Sequence, residues 1–71
     1  MKYKEAVFQA IKSRTSKSFD EMTSIRDLGL DSIDLIEMVV EFEEQFGITI
    51  PSEKINAIKT IRDLLTLLDG L

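Results

Sequence analysis

An all-α fold, a small antiparallel four-helix bundle of three main helices plus one short one with a long loop between the first two, follows from three features of the chain. Its 71 residues leave room for one small domain, spanning residues 1–71. Apolar side chains recur at helical rather than alternating spacing in three separate stretches. Between those stretches stand residue types that start and stop helices: Asp31-Ser32, Gly47, Pro51 and Thr60.

The first helix is read from Tyr3, Ala6, Val7, Ala10 and Ile11, which fall at i, i+3, i+4, i+7 and i+8, with Phe8 widening the same face. The pattern ends in Ser13-Arg14-Thr15-Ser16-Lys17-Ser18, a polar run that reads as loop. From Phe19 to Leu30 periodicity is poor. There Phe19, Met22, Ile25, Leu28 and Leu30 are expected to pin a long loop to the core, with one helical turn after Ser24. Residues 32–46 carry the strongest helical pattern, because Ile33, Leu35, Ile36, Met38, Val39, Val40, Phe42 and Phe46 cover more than half of the circumference. Of these, Ile36, Val39, Phe42 and Phe46 read as core, while Ile33, Met38 and Val40 lie at the margins of the arc. Asp31-Ser32 opens this helix and Gly47 caps its end. Ile48-Thr49-Ile50 is a short extended link, and Pro51 to Ala57 a single turn of helix favoured by the proline at its start. The last helix begins at Thr60, an N-cap with Asp63 three residues on, and buries Ile61, Leu64, Leu65 and Leu68.

Composition narrows the function. The chain has no cysteine and no histidine, which removes thiolate metal sites, disulfides and the usual general base near neutral pH. Self-contained catalysis is therefore not expected, nor is a catalytic or metal site. The formal charge is −4, against the basic face a nucleic-acid binder needs. No apolar run exceeds three residues, so neither membrane insertion nor an export signal is expected, and the chain is placed in the cytoplasm as a monomer. The charge is unevenly spread. Between Arg26 and Lys54 there are eight acids and no base, while the remaining nine bases and five acids leave +4 elsewhere. Asp34, Glu37, Glu41 and Glu44 form one acidic stripe along the second main helix, a docking face for a basic partner.

Leu28-Gly29-Leu30-Asp31-Ser32-Ile33-Asp34-Leu35 resembles the attachment motif of acyl carrier proteins, in which the central serine receives 4′-phosphopantetheine from coenzyme A. The resemblance extends through Glu37, Glu43-Glu44-Gln45-Phe46, Gly47-Ile48-Thr49-Ile50-Pro51 and Thr60-Ile61-Arg62-Asp63-Leu64, covering Ile25 to Leu68. It departs in Leu30, where a small residue is often found, and in a slightly short chain. On its own, serine after aspartate at a helix start is an ordinary N-cap. The physics of a helix start nevertheless suits the attachment role, since free backbone N–H groups and the positive dipole end favour a phosphodiester.

The resemblance implies that Ser32 carries the cofactor and that the protein is a carrier, not an enzyme. It implies that Asp31 and Asp34 help orient a phosphopantetheinyl transferase of the holo-ACP synthase type, and that Ile33, Ile36 and Val40 are apolar partner contacts. Glu37, Glu43 and Glu44 correspond to acids that meet basic patches on acyl synthases and transferases, and the helical stripe adds Glu41. The leading expectation is a carrier for fatty-acid or related acyl (polyketide or lipid) synthesis. An aminoacyl or peptidyl carrier shares the serine and the fold, and an unmodified acidic module that binds a basic partner is a reading of a different class.

Overall fold

The computed structural model describes residues 2–71. In chain order it contains α1 (Lys4–Lys12), a 3₁₀ turn (Arg26–Leu28), α2 (Ser32–Phe46), α3 (Ser52–Ile55) and α4 (Ile61–Asp69), with no strand among the described residues. The four expected helices and the turn after Ser24 are all present. The Tyr3 ring lies 4.5 Å from that of Phe46, and the Lys2 N–H donates to Asp69 Oδ1 at 3.2 Å. The start of α1 thus sits beside the ends of both α2 and α4.

The core takes Val7 and Ile11 from α1, Leu35, Met38, Val39 and Phe42 from α2, and Ile61, Leu64, Leu65 and Leu68 from α4. Burying one such side chain contributes about 1.5–3 kcal/mol, several times a surface charge pair, so the best apolar face decides how each helix is rotated. In α2 that face is i, i+3, i+4, i+7 from Leu35. Met38, expected at an exposed margin, is consequently fully buried. Ile36, expected in the core, is 49% exposed, and Ile33 and Val40 share its outward strip at 66% and 45%. The wide apolar arc of α2 is therefore two strips with different tasks.

The long loop is held partly as expected. Phe19 packs edge-on against Phe8 at 5.2 Å, and Ile25, Leu28 and Leu30 are buried. Met22 is not an anchor; it is 66% exposed. Its N–H donates to Asp20 Oδ1 and the Asp20 N–H to Thr23 Oγ1, both at 2.9 Å, which sets Met22 on the outside of a tight turn. Backbone pairing replaces the missing anchor. Ile25 N–H donates to the Lys59 carbonyl at 2.9 Å, Ile61 N–H to Thr23 at 3.2 Å, and Arg62 N–H to Glu21 at 2.7 Å. This links Ser24 to Thr60 as an isolated antiparallel bridge and joins the loop to the entrance of α4.

Candidate functional site

Ser32 is the first helical residue of α2 and is exposed. The chain arrives there by a sharp reversal. Leu28 ends the 3₁₀ turn, Gly29 N–H donates to the Arg26 carbonyl at 3.0 Å, and Gly29 adopts φ +80°, a left-handed conformation open to glycine at little cost. Leu28 and Leu30, buried on either side, fix the turn to the core.

Asp31, not Ser32, is the N-cap, which corrects the N-cap reading of the serine. Asp31 Oδ1 accepts from the Asp34 N–H at 3.0 Å, and Asp34 Oδ2 accepts from the Asp31 N–H at 3.1 Å, a reciprocal capping box. The Asp34 backbone N–H holds the Asp31 carboxyl below the usual aspartate range, so it is ionised at neutral pH. Each aspartate spends one oxygen on the cap. The other oxygen of each makes no hydrogen bond among the described residues. Ser32 is relieved of capping, and its hydroxyl stands at the positive end of a fifteen-residue helix.

An open cleft of about 700 Å³ adjoins this serine. The loop segment before α2, the first turn of α2 and the stretch from α3 to α4 enclose it. Its apolar lining includes the buried side chains of Ile25, Leu30, Leu35 and Ile58 together with the more exposed Ile36 and Ile55. Arg26 and Lys59 stand on its rim. Neither was singled out by the sequence, because only the pairing of the loop with the entrance of α4 brings them together.

Outward from Ser32, α2 presents Ile33, Ile36, Glu37, Val40 and Glu44, all exposed. Glu37 and Glu44 have no ion-pair partner among the described residues. Two other acids of the expected face are engaged inside the protein. Arg14 Nη2 reaches both carboxylate oxygens of Glu41, at 3.0 and 3.2 Å. Glu43 is half-buried, and its Oε2 accepts from the Ile50 N–H at 2.8 Å, tying the end of α2 to the following link. Gly47, at φ +66°, ends α2 as expected.

Residues 6–68 match the family model described as the phosphopantetheine attachment site. Over 66 residues the chain is 35% identical to an acyl carrier protein of Zymomonas mobilis, covering 93% of this chain and 85% of that one. Its fold superposes with a TM-score of 0.82 on the crystal structure of an acyl carrier protein from Thermotoga maritima, 28% identical, covering 99% of this chain and 89% of that chain.

Proposed function

The chain belongs to the acyl carrier protein family, carriers that bear 4′-phosphopantetheine and are not themselves enzymes, and we propose that Ser32 is the residue to which the cofactor is attached. The observation that carries this reading is the division of labour at the start of α2: Asp31 caps the helix, leaving the Ser32 hydroxyl exposed, unengaged and beside the cleft. The donor chemistry fits, because an uncapped serine oxygen at a helix N-terminus is accessible to a phosphorus centre and the dipole favours the resulting anion. In attachment the serine oxygen forms a bond to phosphorus, the pyrophosphate bond of coenzyme A breaks, the nucleotide half departs, and the hydroxyl proton passes to the transferase. The bound arm supplies a terminal thiol for thioester chemistry, which this cysteine-free chain cannot supply.

Asp31 and Asp34 each offer a remaining carboxylate oxygen to the transferase beside the serine. The strip of Ile33, Ile36 and Val40, bordered by Glu37 and Glu44, suits acyl synthases and transferases with basic docking patches rimming an apolar contact. Within this face Glu41 and Glu43 act first on the fold, through Arg14 and Ile50. The apolar cleft favours an aliphatic acyl cargo, and hence fatty-acid or related acyl synthesis, over aminoacyl or peptidyl cargo. No helix among the described residues is long and apolar enough to cross a membrane. Work in the cytoplasm as a monomeric carrier is part of this proposal.

The test is intact mass after incubation with coenzyme A and a broad-specificity phosphopantetheinyl transferase. Wild type and Ser52→Ala should gain one phosphopantetheine, and Ser32→Ala none. Ser52 is the informative control, since it too is exposed at the first position of a helix, the four-residue α3. Modification of the Ser32→Ala variant overturns the assignment, and an unmodified wild type leaves the acidic interaction module as the better reading.

A further inference from the structure

Two bases, Arg26 and Lys59, line the cleft beside Ser32 together with one acid, Asp31. Arg26 opens the 3₁₀ turn and Lys59 immediately precedes the cap of α4. They are distant in sequence and are brought together by the Ile25-to-Lys59 backbone hydrogen bond of 2.9 Å and the adjoining Ser24–Thr60 bridge. Both side chains are exposed, and neither forms an ion pair among the described residues. Two nearby acids each hold backbone N–H groups through one carboxylate oxygen. Asp63 Oδ2 accepts the backbone N–H groups of Lys59 and Thr60, each at 3.0 Å, and Asp31 is turned into the cap of α2. An anion placed beside these two bases gains from both charges.

We propose that Arg26 and Lys59 form a cation pair that binds the phosphodiester of the arm carried by Ser32, laying the first atoms of the arm along the cleft instead of out into solvent. This rests on Ser32 being the attachment residue. Ser32, Arg26 and Lys59 all line one cleft of about 700 Å³, so a phosphate on the serine oxygen opens onto the same space as both cations. Guanidinium offers a fork of donors to two phosphate oxygens, while the lysine adds a point charge. Both are positioning residues. They do not take part in attachment; they decide where the arm points afterwards. An arm laid over the cleft delivers its cargo towards Ile25, Leu30, Leu35 and Ile58, and a partner enzyme must supply competing cations to lift it off.

The experiment compares apo- and holo-protein for wild type, Arg26→Gln/Lys59→Gln and Lys59→Arg, with intact mass confirming the state of each sample. The readouts are the ³¹P shift of the arm, the side-chain NMR signals of Arg26 and Lys59, and Tm. In wild type at low salt, loading should move both side-chain signals and raise Tm by about 2–4 °C, the size expected of one or two exposed charge pairs in a domain this small. About 1 M salt, where the Debye length is about 3 Å, should remove both effects. The double Gln variant should lose them and show the ³¹P shift of a freely solvated phosphodiester; Lys59→Arg should retain them. An identical ³¹P shift in wild type and the double variant, or side-chain signals that ignore loading, overturns the proposal while leaving Ser32 as the attachment residue. A wild type that gains no mass overturns both.

Discussion

Asp31 and Asp34 each hold the other's backbone N–H, at 3.0 and 3.1 Å, and Ser32 and Ile33 lie in the loop they close. The serine owes its exposure to these two carboxylates, so the start of α2 is stabilised by residues other than the one exposed for modification. Asp31→Ala should accordingly lower Tm, whereas Ser32→Ala should leave it within error. Melting curves of the two variants check this directly.

The same box sets a pH dependence. The folded-state pKa of Asp31 is lowered by the Asp34 N–H, and that of Asp63 by the Thr60 N–H in the matching box of α4. A carboxyl with a depressed folded pKa binds its proton more readily when unfolded. Its contribution is whole above the unfolded value of 3.8 and disappears as pH falls through the lower folded value. Tm should therefore be flat with respect to these two groups above about pH 5 and fall below about pH 4. Asp31→Asn should flatten part of that fall; an unchanged acid limb would remove Asp31 from the account.

Gly29→Ala tests the reversal before the serine. A Cβ there meets nothing within 4 Å, so the whole penalty is conformational, from φ +80°. It should amount to about 1–2 kcal/mol, with Tm falling about 4–8 °C for each kcal/mol. Gly29→Asn should cost less, because asparagine tolerates the left-handed region.

Glu37 and Glu41 are neighbours of like charge on α2 with opposite structural standing. Glu41 is answered by Arg14 and Glu37 by no base among the described residues. Glu41→Lys should destabilise by about 0.2–1 kcal/mol through the lost pair. Glu37→Lys should leave the fold as stable or firmer, while lowering kcat/KM for modification by the transferase about tenfold at low salt. Added salt should stabilise the free protein slightly by screening the three like-charge pairs along Asp34, Glu37, Glu41 and Glu44, each costing about 0.2–0.5 kcal/mol. Arg14→Gln should enlarge that salt effect. If the Glu37→Lys variant is modified as fast as wild type, Glu37 is solvated surface only.

Acyl cargo should use the cleft. A medium-length acyl chain on the arm should raise Tm above that of the bare holo-protein and shift the amides of Leu30, Leu35, Ile55 and Ile58. Unchanged amides would place the chain in solvent.

What could be read in advance was whatever depends on residues close in sequence. Helix positions, the Gly47 cap and the Thr60–Asp63 box are such local features, and all four apolar positions named for α4 are buried. The rotation of α2 was legible in part: Leu35, Met38, Val39 and Phe42 are one clean helical face, but eight apolar residues around the helix hid it. Which strip goes inward is settled by α1 and α4, which a helix's own period does not describe. Met22 failed as an anchor because Asp20 and Thr23 captured its turn. The engagements of Arg14 with Glu41, Glu43 with Ile50 and Ile25 with Lys59 join separate elements, and no spacing rule announces them.

The hydrogen-bonded seam between residues 21–25 and 59–62 gives the cleft one stiff wall and one yielding one. Moving the first wall means breaking three backbone bonds at once, so the amides of Ile25, Ile61 and Arg62 should exchange with solvent only in larger openings of the domain. Across from it α3 has four residues, no capping side chain and no buried residue. Of its residues Ile55 alone packs half-buried against the core, which places α3 among the less firmly held elements. Adjustment to longer or bulkier contents should therefore fall to α3 sooner than to the loop and the entrance of α4, and amide exchange in α3 should be the faster of the two.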